Sequence, residues 1–325
     1  MALPQRSAPS LFKLIDTARS VQEQTAAEAK AVVFYPSFLC HVSFPASSIP
    51  EKTYELESGP HRLSVSSPNG IPYGIFPRLA ISWLTTYVIR RRFESDSDRV
   101  FLGDKFADYI QSVIGRRILS GGKQGDITKA REAYISLVSS HIVYSYNLNR
   151  MLPGESRITH YNIASDVTLW QEAPYVLGRP KTEFQSTLIL GPQFHADIID
   201  RGCPLDYRIL KSLSPKCLAT DIYTWANYRA KDDLRDKSSE SFRTKRVAIP
   251  WPGLRLQFGV GYDPKGEIRY FKKRFLEACR DVHMVYPGFC FADKGDTVLF
   301  TLRGSSVQRT VPAMPSPDKA QIALF

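Results

Sequence analysis

The sequence predicts an α+β fold built as two tandem winged-helix domains with short β-hairpin wings. Three observations predict it. A run of helix, short strand, helix, glycine turn, helix and paired strands begins near Phe76, and the order recurs after Gly191–Pro192. A strongly basic helix around FKKRFLEACRDV is followed at once by FCFADKGDTVLFTL, two apolar strands about a DKGD turn. Charge is segregated: the formal net charge is +11, and residues 201–325 hold 22 Lys/Arg against 13 Asp/Glu.

Four segments follow. Residues 1–67 read as an N-terminal helix and strand extension, partly flexible. Residues 68–190 read as the first winged-helix domain, 191–305 as the second, and 306–325, rich in Pro, Ser and Ala, as a flexible tail. In the extension, Leu11, Leu14, Ile15 and Ala18 predict one helix side. AVVFYPSFLCHVSFP suggests one or two strands, and TYELESGPHRLSVSSPNG a hairpin punctuated by Gly59–Pro60 and Asn69–Gly70.

The first domain opens with a helix from about Phe76 to Arg90, with Pro77 in its first turn where the missing N–H costs nothing. RVFLG is a short strand. DKFADYIQSVIG is a helix with Asp104 as candidate cap, and ITKAREAYISLVS a third after the GGKQGD turn. HIVYSYN and RITHYNIA predict the wing strands, and FQSTLIL adds another strand. In the second domain, QFHADIIDRG and LDYRILKSL are helix candidates. Ser214 then caps PKCLATDIYTWANYRA with Pro215 at the first helical position, and Leu218, Ile222, Trp225 and Arg229 keep helical rhythm. KDDLRDKSSESFRTKR reads as a solvent loop, and IPWPGLRLQFG as a short helix or turn. From about Glu267 to His283, Phe271, Phe275, Ala278 and Val282 make the apolar stripe of the basic helix.

A helix fits the major groove of duplex DNA, where Lys and Arg reach phosphates and Arg also reads guanine. Arg269, Lys272, Lys273 and Arg280 are the first candidates for contact, with Lys294 presented by the wing. Arg243, Lys245 and Arg246 form a second basic group, suited to a DNA backbone or to an acidic surface. Lys129 and Arg131 occupy the corresponding helix of the first domain. Arg90, Arg91 and Arg92 end a helix, where positive charge complements the terminal dipole without any ligand.

Several chemistries find no motif. SGGKQGD has Arg117 and Gln124 where a phosphate-binding loop needs glycine and a hydroxyl, and GVGYDPKG lacks the third glycine of a dinucleotide fingerprint. The histidines form no HxH or HExxH, the five cysteines no CxxC, and no GxSxG is present. The expectation is therefore a protein without cofactor or metal and without enzymatic activity. An origin-nicking relaxase would make Tyr161 its nucleophile, and Asp232, Asp233 and Asp236 are more simply solvated than cation ligands. No run of 18 apolar residues and no basic-then-apolar N-terminus occurs, so neither a spanning helix nor a secretory signal is expected, and the cytoplasm is the default.

GIPYGIFPRLAISWL (residues 70–84) and VFLGDKFADYIQSVIGRRILSGGKQGDITKAREAY (100–134) resemble the plasmid-encoded RepA replication protein family. Ile71, Pro72, Tyr73, Gly74, Pro77, Arg78 and Leu79 carry the first pattern; Leu102–Gly103, Gly121–Gly122 and Gly125 carry the next. ATDIYTWANYR, IPWPGLRLQFG and FKKRFLEA resemble later blocks, so that the likeness spans roughly residues 30 to 305. The resemblance implies a plasmid replication initiator that binds repeated double-stranded origin sites, opens a nearby A·T-rich segment and recruits host replication proteins such as a helicase or replicative initiator. It also implies a possible homodimer through the first unit. A winged-helix transcriptional repressor, a relaxase-type enzyme and a non-catalytic interaction scaffold are the competing expectations.

Overall fold

The structure, a computed structural model, describes residues 8–115, 125–148, 154–169, 186–232, 244–259 and 268–307. Its elements run α1 (Ala8–Glu23), β1 (Val32–Tyr35), a 3-10 turn (Ser37–Cys40), β2 (Thr53–Ser58), β3 (His61–Ser66), α2 (Ile75–Arg90), β4 (Arg99–Gly103), α3 (Phe106–Ile114) and α4 (Asp126–Val138). Then come β5 (His141–Tyr146), β6 (Arg157–Asn162), β7 (Ala164–Thr168), β8 (Ser186–Leu190), α5 (Pro192–Arg201), β9 (Cys203–Asp206), α6 (Tyr207–Leu213) and α7 (Cys217–Asp232). The chain closes with β10 (Thr244–Pro250), α8 (Trp251–Phe258), α9 (Ile268–Val285), β11 (Phe289–Asp293) and β12 (Thr297–Arg303). The fold is mixed, with helices packed around small antiparallel sheets.

The duplication lies in the topology. In one half, α2, β4, α3 and α4 are joined by a sheet of order β4-β8-β7; in the other, α7, β10, α8 and α9 are joined by a sheet of order β10-β12-β11. In each, the strand after the first helix lies on one edge and the last strand sits in the middle. The strands expected as the first wing go elsewhere. β5 and β6 pair as expected, but β5 also pairs with β3 over six positions, making a four-stranded sheet of order β2-β3-β5-β6. A lone hairpin is marginal, and this union lets Leu63, Val65 and Ile142 be fully buried. The place beside β4 is taken by β7 and β8, and β7 escapes sequence detection because ASDVT is polar.

Two caps also differ. The residue before α3 is Lys105, with no side-chain cap bond, so Asp104 does not cap it. The Ser214 hydroxyl donates to the Lys211 carbonyl (2.9 Å) and closes α6, while α7 starts at Cys217 with the Thr220 N–H on Lys216 O (3.1 Å). Part of the expected loop after α7 is strand: β10 pairs with β12 over seven positions, Val247 and Ile249 leaning inward.

The halves interlock. β1 pairs with β9 while β2 and β3 join β5, so the N-terminal 67 residues contribute strands to both. Arg208 Nη1 and Nη2 donate to the carbonyls of Ser20 (2.7 Å) and Gln24 (3.0 Å), fastening the end of α1 to α6. The deepest polar link joins α2 to α7. Arg78, 1% exposed, donates from Nε and Nη2 to the two carboxylate oxygens of Asp221 at 2.7 and 2.8 Å. Its remaining donors meet the carbonyls of Gly74 (2.5 Å), Phe44 (2.6 Å) and Pro45 (3.4 Å), and Ser43 also donates to Asp221. Burial alone would favour the neutral guanidine; the Asp221 carboxylate overcomes it and holds the Arg78 pKa above its ordinary value.

A second internal contact makes stability pH-dependent. His41 and His61 stack at 3.7 Å between ring centroids, and His61 Nδ1 lies 2.6 Å from the Tyr144 hydroxyl. Desolvation first, then the Arg229 charge, lowers the His61 pKa to about 4; desolvation, His61 and Arg229 push His41 well below its ordinary value. A histidine depressed in the folded state costs nothing above its unfolded pKa. Stability falls as pH drops from about 6.5 towards 4, because the unfolded chain binds protons that the folded one refuses. Denaturant midpoints at pH 7.5 and 5 should therefore differ for the wild type and differ less for His61→Gln; equal pH sensitivity in the two proteins would refute this assignment.

Candidate nucleic-acid interface

The basic helix α9 is amphipathic as its sequence requires. Phe271, Phe275, Cys279, Val282 and Val285 are fully buried, and Ala278 nearly so. Trp251 of α8 packs edge-on against Phe271 (6.2 Å) and Phe275 (5.8 Å), while Phe258 and Phe300 close on Phe275 at 5.5 and 6.3 Å. This aromatic block fixes the rotation of the helix. At 3.6 residues per turn, Arg269, Lys273 and Arg280 then fall within roughly 40° of one another on the opposite side. All three are exposed.

The hairpin turn is held to that helix. Gly295 adopts φ +87°, which favours glycine, and its N–H donates to Asp293 Oδ1 (3.0 Å) while the Lys294 N–H donates to Thr297 O (2.8 Å). The Trp251 N–H reaches Asp296 O at 3.1 Å. Lys272 completes the fastening: its Nζ donates to Gly295 O (3.3 Å) and sits 4.9 Å from the centre of the Trp251 ring. Lys294 is exposed at the tip as expected. Lys272, expected as a DNA contact, is half-buried, and its ammonium is engaged by the turn. Lys272→Ala is accordingly expected to speed amide exchange at Gly295–Thr297, whereas Lys273→Ala leaves it unchanged. Equal exchange in the two variants would remove Lys272 from this role.

The other candidates divide. Arg246 is exposed on edge strand β10, Lys245 is half-buried, and Arg243 lies outside the described residues. On α4, Lys129 is exposed, but Arg131 is half-buried with its guanidinium 5.4 Å over the Phe106 ring. Arg90 donates to Val32 O; Arg91 pairs with Glu94 and Asp96 and donates to the Tyr87 hydroxyl; Arg92 donates to Ile89 O. Arg91 and Arg92 thus close the helix end locally, while Arg90 ties it to β1.

Sequence reasoning missed Arg274 and Tyr270, both exposed on the flank of α9. They line a groove of about 500 Å³ with Lys273, Glu277 and the start of α7 at Pro215–Leu218. Lys216 in its wall is pinned by Asp281 at 2.6 Å. The unbroken KKR run was the available signal for Arg274.

Catalytic candidates fare differently. Tyr161, the proposed relaxase nucleophile, is 2% exposed and stacks on Phe38 (4.5 Å, 12° between planes). Desolvation raises its pKa, so this hydroxyl is both inaccessible and reluctant to ionise. Asp233 and Asp236 lie outside the described residues. Among the described residues no three His, Cys, Asp or Glu side chains gather to hold a metal, and no helix is long and apolar enough to cross a membrane.

The interlocking of α2 and α7 brings two of the spaced sequence blocks into contact: Gly74 and Arg78 lie in the first, Asp221 in a later one. The family model described as Plasmid encoded RepA protein matches residues 71–245. This chain belongs to that family. The match opens on the IPYG segment of this RepA-family chain, contains both partners of the buried ion pair, and stops before α8 and α9. It is thus shorter than the resemblance over residues 30 to 305. Two crystal structures of domains 2 and 3 of RctB are similar to this chain. The selenomethionine form has a TM-score of 0.48 and 14% identity, covering 84% of this chain and 99% of that one. The other has a TM-score of 0.45 and 13% identity, covering 83% and 96%. No curated protein matches in sequence.

Proposed function

We propose that this RepA-family protein is a non-enzymatic plasmid replication initiator that binds repeated double-stranded sites at its origin. Each topological repeat acts as a winged helix, and the second is the principal DNA reader. α9 enters the major groove and Lys294 on the β11–β12 wing contacts the flanking backbone. The observation that carries this reading is the outward row Arg269, Lys273 and Arg280 on a helix locked from behind by Phe271, Phe275 and Trp251. A cationic face on a fixed axis is what sequence reading requires, because register is set through phosphates before base edges are reached.

The first repeat has a different task. Its α4 buries Ala130, Tyr134, Leu137 and Val138, and Arg131 packs on Phe106, leaving Lys129 as a peripheral contact. That leaves α4 little cationic surface for reading bases, and pairing two copies is the role proposed for this repeat. Origin opening follows if binding favours bent or unstacked DNA, since A·T-rich steps cost less to deform. Recruitment of a host helicase or replicative initiator completes the proposal.

DNase protection over the plasmid origin tests the binding, and permanganate reactivity on the saturated complex tests the opening. Protected repeats beside a reactive A·T-rich tract are expected. Protection with no reactivity would leave a winged-helix repressor, and no protection at any repeat would remove the origin role.

A further inference from the structure

The sequence holds no paired-histidine motif, yet the fold makes one. His141 on β5 and His160 on β6 belong to antiparallel neighbours in which His141 is opposite Asn162 and Val143 opposite His160. The two imidazoles therefore meet diagonally on the same face of the four-stranded sheet, with His160 Nδ1 3.3 Å from His141 Nε2. His160 is exposed and His141 half-buried, so water and ions reach the pair.

We propose that His141 and His160 chelate a divalent transition-metal ion of the zinc type. Distance is the first argument. With zinc–nitrogen bonds of about 2.0–2.1 Å and a tetrahedral angle, two ligating nitrogens stand roughly 3.3–3.4 Å apart. The pair already has that separation, so a metal enters by a turn of the two rings that aims both lone pairs at one point, without moving the strands. The second argument is the support behind it. His141 Nδ1 lies 2.8 Å from Asn162 Oδ1, an acceptor that fixes the proton on Nδ1 and leaves the Nε2 lone pair directed at His160. Metal-bound histidines are held in this way by an outer oxygen partner. Without metal, His160 Nδ1–H donates to His141 Nε2; on binding, that proton moves to the exposed Nε2 of His160 or to water, and Nδ1 becomes the second ligand.

Imidazole nitrogen selects zinc, copper or nickel over magnesium or calcium. Two positions on the ion stay open to water. The consequence for the fold is a clip across β5 and β6, the strands that complete the sheet begun by β2 and β3.

Titration calorimetry of the full chain with zinc chloride tests this. One zinc per chain is expected, with His141→Ala and His160→Ala each weakening binding at least tenfold and Asn162→Ala weakening it by about tenfold. A parallel measurement needs no variant: in a histidine-labelled wild type, the imidazole signals of His141 and His160 should respond to the first equivalent of zinc ahead of His41, His61, His195 and His283. Absence of stoichiometric binding, binding unchanged in both alanine variants, or a first response at another histidine would each overturn the proposal.

Discussion

Replacing Arg78 by alanine is expected to destabilise the fold by about 3–5 kcal/mol, because it leaves the Asp221 carboxylate in the interior with its principal partner gone. Asp221→Ala should act similarly by stranding a guanidinium that is 1% exposed. Lysine is not an adequate substitute. Arg78 meets Asp221 with two parallel N–H groups while also serving the carbonyls of Gly74, Phe44 and Pro45, and a single ammonium on a flexible stem cannot reproduce that fork. The double variant Arg78→Met/Asp221→Leu, which removes both charges together, should be more stable than either alanine variant. Urea unfolding of the four proteins decides the matter. Single variants within a few tenths of a kcal/mol of wild type would show that this pair is not what joins α2 to α7.

That pair also marks the boundary of what the sequence reveals. The apolar spacing of α9 was legible because Phe271, Phe275, Ala278 and Val282 recur at helical intervals and are all buried in the structure. The DKGD hairpin was legible because a Gly turn separates two runs of strand-forming residues. Arg78 was legible only as part of a motif. Nothing local distinguishes a buried arginine from a solvated one, and its partner lies 143 positions away. The same limit explains β5 and β6. Their existence follows from composition, whereas the choice between closing β2–β3 and flanking α4 depends on which partner leaves fewer strand edges open. Lys272 and Lys273 show it at the level of one side chain. Adjacent and chemically identical, they are separated only by rotation about the helix axis, which aims the first at Gly295 and Trp251 and leaves the second in solvent.

The same rotation sets the largest expected effect on binding. Simultaneous Arg269→Ala, Lys273→Ala and Arg280→Ala should lower affinity for origin DNA and also flatten its salt dependence. Each phosphate contact that releases a counterion contributes about 0.9 to the slope of log K against log salt, so three lost contacts reduce it by close to 2.7. A residue that reads a guanine behaves differently: its loss costs roughly 1–3 kcal/mol on the matching site and relaxes discrimination there. Single substitutions measured on origin and random duplex thus sort the row into backbone and base contacts. The charge itself must be controlled for, since the chain carries +11 and any lost cation weakens long-range attraction. Lys30→Ala, Lys52→Ala and Lys105→Ala together, at exposed positions away from α9, remove the same number of charges, supply that control and should leave the slope nearly unchanged. If the triple variant and the control shift affinity alike, the outward face of α9 contributes only general electrostatics, and the groove beside it, with Arg274 and Tyr270, becomes the next surface to alter.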